Sequence, residues 1–149
     1  MIERNQWIVS LNEVAQDKLL AVTSELSQNL KIRPKAVSQS GLGMLKLEDS
    51  AYGEPFYLGE IPFSSAWLEI ETEDGVITEG AAQIMDDQIE VVEAMAICDA
   101  ILANQLMGWE QILEMVDEGA KKREDISRER KTMLASTQVD FSLLDEVED

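Results

Sequence analysis

The spacing of apolar residues changes along the chain, and each change marks a new element. Trp7, Ile8 and Leu11 fall on one face of a short helix. Leu19, Val22, Thr23, Leu26 and Leu30 then recur at intervals of three and four, the repeat of a second helix. Asn12 is placed to cap that second helix and Arg33-Pro34 to stop it, which predicts a helical hairpin packed on something downstream. From residue 34 to residue 85 the period falls to two. Residues 35–39 and 43–48, divided by Ser40-Gly41, are short strand candidates, and 56–58, bounded by Gly53 and Gly59, is a third. Ala66, Leu68 and Ile70 alternate with Trp67, Glu69 and Glu71, and Glu73-Asp74-Gly75 turns the chain into residues 76–85, a β-hairpin signature. One face of that sheet is polar, so helices are expected to cover only the other.

Residues 88–106 are apolar on most sides, with Ile89, Val92, Met95, Ala96, Ile97, Ala100 and Leu102, as a central helix buried against a sheet would be. Asp86-Asp87 stand where that helix starts, where its macrodipole favours negative charge. Asp99 inside it would be costly to bury unpaired, so it should lie at the margin or meet a donor. A second long helix is predicted from Trp109 through Ile112, Val116, Ala120, Ile126 and Met133, becoming an exposed, mixed-sign segment at Lys121. Beyond Thr137, Val139, Phe141, Leu143 and Leu144 alternate with Asp140, Asp145 and Glu146, a tail expected to dock in this chain or in another. The predicted architecture is α+β in one domain, 1–149: an N-terminal helical hairpin, an antiparallel sheet of four or five strands, two C-terminal helices and a docking tail.

Charge narrows the possible partners. The net charge is −18, and residues 47–120 contain 18 Asp or Glu and no Lys or Arg. Residues 1–46 sum to +2, 121–136 to +3 and 137–149 to −5, so the acidity is regional. Such a field repels nucleic acid, anionic lipid and free polyphosphate and attracts basic protein surfaces. There is no histidine, which removes the commonest general base and transition-metal ligand. The one cysteine, Cys98, has Asp99 and Glu93 as its nearest charged neighbours in sequence and reads as a small core residue. Neither a signal peptide nor a membrane span is expected, and the setting implied is a reducing cytoplasm. Glu71, Glu73 and Asp74 beside Gly75 lack the ligand spacing of a calcium loop and read as a solvated turn.

Several pieces, in order, resemble one family. They are the helical start with Arg4, Trp7 and Leu11, the block Gly53-Glu54-Pro55-Phe56-Tyr57-Leu58-Gly59-Glu60, the hairpin closing at Gly75, Ala96-Ile97-Cys98-Asp99-Ala100-Ile101-Leu102, and Thr137-Gln138-Val139-Asp140-Phe141. The chain is similar in these respects to the PhnG subunit of the bacterial carbon-phosphorus lyase machinery. The resemblance implies an α+β accessory subunit that assembles with PhnI-, PhnH- and PhnJ-type partners. The assembly makes ribose 1-phosphonate 5-triphosphate from ATP and an alkylphosphonate, and a radical iron-sulfur subunit later breaks the carbon-phosphorus bond. ATP and magnesium would be substrates of the complex, with no cofactor and no metal held by this chain.

The chain departs from that pattern with Ser50-Ala51-Tyr52-Gly53 in place of a Gly-Gly-Thr-Gly-like turn. It also departs at three places where the family carries a cationic residue, Phe63-Ser64, Met85-Asp86-Asp87 and the ending Phe141-Ser142-Leu143-Leu144-Asp145-Glu146. Those arginines could meet phosphate or acidic surfaces by bidentate contact, so the resemblance points to a divergent, mainly structural member. Gly59 is expected to serve backbone geometry, and Glu60, Asp99, Val139, Asp140 and Phe141 to make contacts between subunits; none is given a catalytic role. Two other readings compete: a stand-alone acidic module that sequesters a basic partner, and an enzyme working through carboxylates such as Glu60, Glu79 and Asp99.

Overall fold

The chain runs α1 (Trp7–Leu11), α2 (Gln16–Leu26), β1 (Lys31–Glu48), β2 (Pro55–Glu71), β3 (Ile77–Ile84), α3 (Ile89–Ala103) and α4 (Trp109–Ser136), with a 3-10 turn at Arg4–Gln6 leading into α1. The structure is a computed structural model, and it describes residues 2–136. It is α+β, with one antiparallel sheet in the order β1-β2-β3.

The buried residues gather around α3. Val92, Met95, Ala96, Cys98, Ala100 and Ile101 are all buried, and the helix touches the sheet, α2, α4 and α1. Each large apolar side chain so enclosed contributes about 1.5–3 kcal/mol relative to exposure. On the sheet side, β3 alternates strictly: Thr78, Gly80, Ala82 and Ile84 face in, while Ile77, Glu79, Ala81 and Gln83 face out. β2 does the same, with Ala66, Leu68 and Ile70 against α3. Gly80 lets strand and helix meet backbone to backbone, since a Cβ there would stand 2.0 Å from the Ala96 carbonyl oxygen. Gly119 does the same where α4 crosses α1, with the Ser10 carbonyl oxygen 1.9 Å from its absent Cβ.

The outer face of the sheet is finished for water. Lys31 pairs with Glu71 at 2.9 Å, Arg33 reaches Glu71 at 3.4 Å, and Lys35 lies 2.7 Å from Glu79 and 5.7 Å from the Trp67 ring centre. The Trp67 indole N–H donates to Glu79 at 3.0 Å. Hydrogen bonds from Lys35 and then from Trp67 hold the Glu79 carboxyl below its ordinary pKa, and the bond to Glu79 raises that of Lys35.

The three strands replace the four or five expected. The segments read as 35–39 and 43–48 are parts of the single strand β1, and 56–58 and 66–71 are parts of β2. Ser40 and Gly41 do not break β1 because they stay in register with Ser64 and Phe63, while bulges near Pro34, Ala36 and Leu45 absorb the irregularities. Pro34 lies in β1 rather than ending α2, which an edge strand permits at a register shift. Asn12 ends α1; the N-cap of α2 is Ala15, without a side-chain cap bond. The two N-terminal helices face different neighbours, α1 against α4 and α2 against α3. Gln88, not the Asp86-Asp87 pair, is the N-cap of α3; one Asp86 oxygen accepts from the Asp87 N–H at 2.6 Å. That helix ends at Ala103, where Gln105 takes φ 49° and Leu106 N–H closes on the Ile101 carbonyl at 3.0 Å.

Gly80→Ala and Gly119→Ala should each lower stability by at least about 2 kcal/mol in urea denaturation, because the obstructing atoms are backbone. Gly41→Ala, which meets nothing within 4 Å, should stay within about 0.5 kcal/mol of wild type.

Candidate partner interface

β3 pairs with β2 only as far as Ser64 opposite Ile84. Beyond that point β1 and β2 continue alone as a two-stranded arm, 41–48 paired with 55–63. The tip is closed by Asp49, whose N–H donates to the Glu54 carbonyl at 2.9 Å and whose carboxylate accepts from Ala51 and Tyr52 N–H at 3.2 Å. The base is tied to the start of α3: Ser64 Oγ donates to the Asp86 carbonyl at 2.6 Å and Ser40 Oγ to the Asp87 carbonyl at 3.1 Å. A ribbon with no third layer is marginal in water by itself.

Residues directly opposite one another share a face, which sorts the arm's side chains. Gly41–Phe63, Gly43–Ile61, Leu45–Gly59 and Leu47–Phe56 form one face, with no charged group. Leu42–Pro62, Met44–Glu60, Lys46–Tyr57 and Glu48–Pro55 form the other, where Leu42 is 68% exposed and Met44 and Tyr57 are each 59% exposed. Leu58 is the extra residue of a bulge between the Leu45 and Lys46 pairings, and Gly59 beside it has φ 155°. Nothing else in the described chain spreads so many large apolar side chains into water.

The residues singled out from sequence do not converge. Gly59 and Glu60 lie on the arm. Asp99 lies in the body, 5% exposed, with Arg4 donating to both carboxylate oxygens at 2.9 and 2.8 Å and the Ala81 N–H donating at 3.1 Å. That bond raises the pKa of Arg4. Ala81 pairs with Trp67, seven residues along β2 from Glu60, which is about 23 Å at strand rise. Val139, Asp140 and Phe141 lie outside the described residues. Arg4 and the uncharged arm face were missed. Arg4 is 95 positions from Asp99, beyond any local pattern. The arm had a signal: between residues 41 and 63 apolar residues occupy both parities of the strands, more than one covered face needs.

The carboxylates weighed as an acid-base set lie in different surroundings. Glu60 is on the arm, Glu79 is engaged by Lys35 and Trp67, and Asp99 by Arg4 and Ala81. Among the described residues no group of three or more His, Cys, Asp or Glu could hold a metal ion, and no helix is long and apolar enough to cross a membrane. Burial pushes the Cys98 thiol up to about 11, against the opposing hydrogen bond with Thr23. What stands out in the geometry is the exposed apolar surface of the arm.

The sequence match decides what kind of protein carries this surface. The family model for phosphonate metabolism protein PhnG matches residues 2–145. The chain belongs to the PhnG family. The match takes in the arm, Arg4, Asp99 and the Val139-Asp140-Phe141 segment, and it places the chain in phosphonate metabolism. A comparison with curated proteins finds no match.

Arg4→Ala should leave the buried Asp99 carboxylate with a single donor and lower stability by about 1–3 kcal/mol, read from the urea midpoint. Arg4→Lys should recover only part of this, because one ammonium cannot bridge both oxygens in the same fork. Cys98 is fully buried, out of reach of reagents in solution, and the same burial raises its thiol pKa. A thiol reagent should therefore label native protein only as fast as it unfolds, and full labelling should follow at once in denaturant.

Proposed function

We propose that this chain is an accessory, non-catalytic subunit of the alpha-D-ribose 1-methylphosphonate 5-triphosphate synthase and carbon-phosphorus lyase complex, in the cytoplasm. Its partners are PhnI-, PhnH- and PhnJ-type subunits. ATP and magnesium are substrates of the assembly, and no cofactor belongs to this chain. The observation that carries this reading is the PhnG match over residues 2–145 in a chain whose arm exposes apolar side chains that its own described body does not cover. The different surroundings of Glu60, Glu79 and Asp99 support a structural role over an acid-base one. Glu60 on the arm, and Val139, Asp140 and Phe141 in the tail, contact partner subunits. Gly59 shapes the bulge, and Asp99 acts from inside by fixing the N-terminal segment through Arg4.

Co-expression with the PhnI-type subunit of the same genome, followed by size-exclusion chromatography at low and moderate salt, tests the proposal. A complex that co-elutes at both salt concentrations is expected. Separate elution at both overturns it. A complex seen only at low salt also overturns it and favours an acidic module that captures basic proteins by charge.

A further inference from the structure

We propose that the uncharged face of the β-arm seats an apolar surface of a partner protein edged by Lys and Arg, with one apolar side chain of that partner lodged in the hollow beside Phe63. The inference rests on the reading of this chain as a subunit of a complex.

The outer face of the body and the uncharged face of the arm are continuous along β2, since Phe63, Ser65 and Trp67 point the same way. They are built for different surroundings. Around Trp67 the strands carry Lys31, Arg33, Lys35, Glu69, Glu71 and Glu79, joined into ion pairs. From Phe63 outward, Ile61, Phe56, Leu45 and Leu47 replace every one of those charges. The glycines opposite Phe63 and Ile61 leave room: a cavity of about 230 Å³ is lined by Gln39, Ser40, Gly41, Leu42, Gly43, Phe63 and Ser65, and a Cβ on Gly41 would meet nothing within 4 Å. Its volume suits one Leu, Met or Phe side chain.

The charges around that face select the occupant. Between residues 41 and 63 the arm carries Glu48, Asp49, Glu54 and Glu60 against the one cation Lys46. A second copy of the chain would bring the same four carboxylates to the contact. The segment 137–149 of this chain, at −5, would add to the repulsion, and nucleic acid or an anionic membrane would be repelled in the same way. Asp49 and Glu54 close the tip and Glu48 and Glu60 lie on the reverse of the ribbon, so a partner with a cationic border gains from acids that flank the uncharged face while it buries apolar area at the centre, the anatomy of a stable protein interface.

The test measures binding of the full-length chain to purified PhnI-, PhnH- and PhnJ-type subunits from the same genome. Phe63→Glu and Leu45→Glu should weaken the complex at least about tenfold, whereas Met44→Glu on the opposite face, outside the hollow, should change it less than about twofold. Leu45→Thr keeps a strand-forming residue and guards against loss of the arm itself; it should weaken binding with an unchanged circular dichroism spectrum. Gly41→Leu separates a seat from general stickiness: it adds apolar area but fills the hollow, so binding should fall. Glu48→Lys with Glu54→Lys should slow association and reduce its salt dependence. If wild type binds and the Phe63, Leu45 and Gly41 variants bind equally well, the docking inference is overturned while the subunit reading stands. If wild type binds none of the three subunits, the subunit reading falls and takes the inference with it. A dimer of the chain alone that Leu45→Glu splits would assign the face to a second copy and overturn the inference.

Discussion

Enclosure of α3 is the constraint on which the rest of this structure depends. A helix apolar on nearly every side cannot leave one flank in water, so the sheet must lie along it, α2 and α4 must close other sides, and α1 must fill the corner. The glycines at 80 and 119 follow from that demand, because the surrounding elements come closer than any side chain would allow. Asp99 is the exception inside the enclosure. It is tolerated because a guanidinium fork and a strand-edge N–H satisfy it, and by holding Arg4 it draws the N-terminal segment over the outer edge of β3.

That enclosure accounts for the body and leaves the arm uncovered by any other element among the described residues. The sheet is covered by helix on one face and by paired charges on the other, which is how an antiparallel sheet lives half in water. The arm has neither. Its large side chains cannot be reached by the described helices, and its carboxylates do not pair along it as those of the body do. A folded chain that spends so much apolar surface outside its core is incomplete without something that covers it. This agrees with membership of the PhnG family.

Much of the body was legible in sequence because its patterns are local. The alternation at 66–71, the Gly75 turn, the apolar α3 and the start of α4 at Trp109 each declare themselves within a dozen residues. Strand number was misjudged because Ser40-Gly41 and Gly59 look like breaks, and only the cross-strand register shows that pairing runs through them. The caps failed for a similar reason: Asn12 and Asp86 have the right chemistry, but packing shifted each helix start by a few residues. Of the residues singled out, Gly59 and Glu60 lie on the arm, but the arm itself was not legible, because an exposed apolar ribbon has the same alternation as a buried strand and the difference lies in what fails to pack against it. The Arg4–Asp99 pair needed the third dimension altogether.

The two serine hydroxyls at the root of the arm give it a mechanical meaning. Ser40 and Ser64 bind carbonyls of the residues that lead directly into α3, so the ribbon is fastened to the same point from which the core helix departs. An object grasped by a handle riveted to its axle turns as the handle turns. Whatever holds the arm therefore sets the direction of the central helix and, through it, the bearing of every other element in the protein.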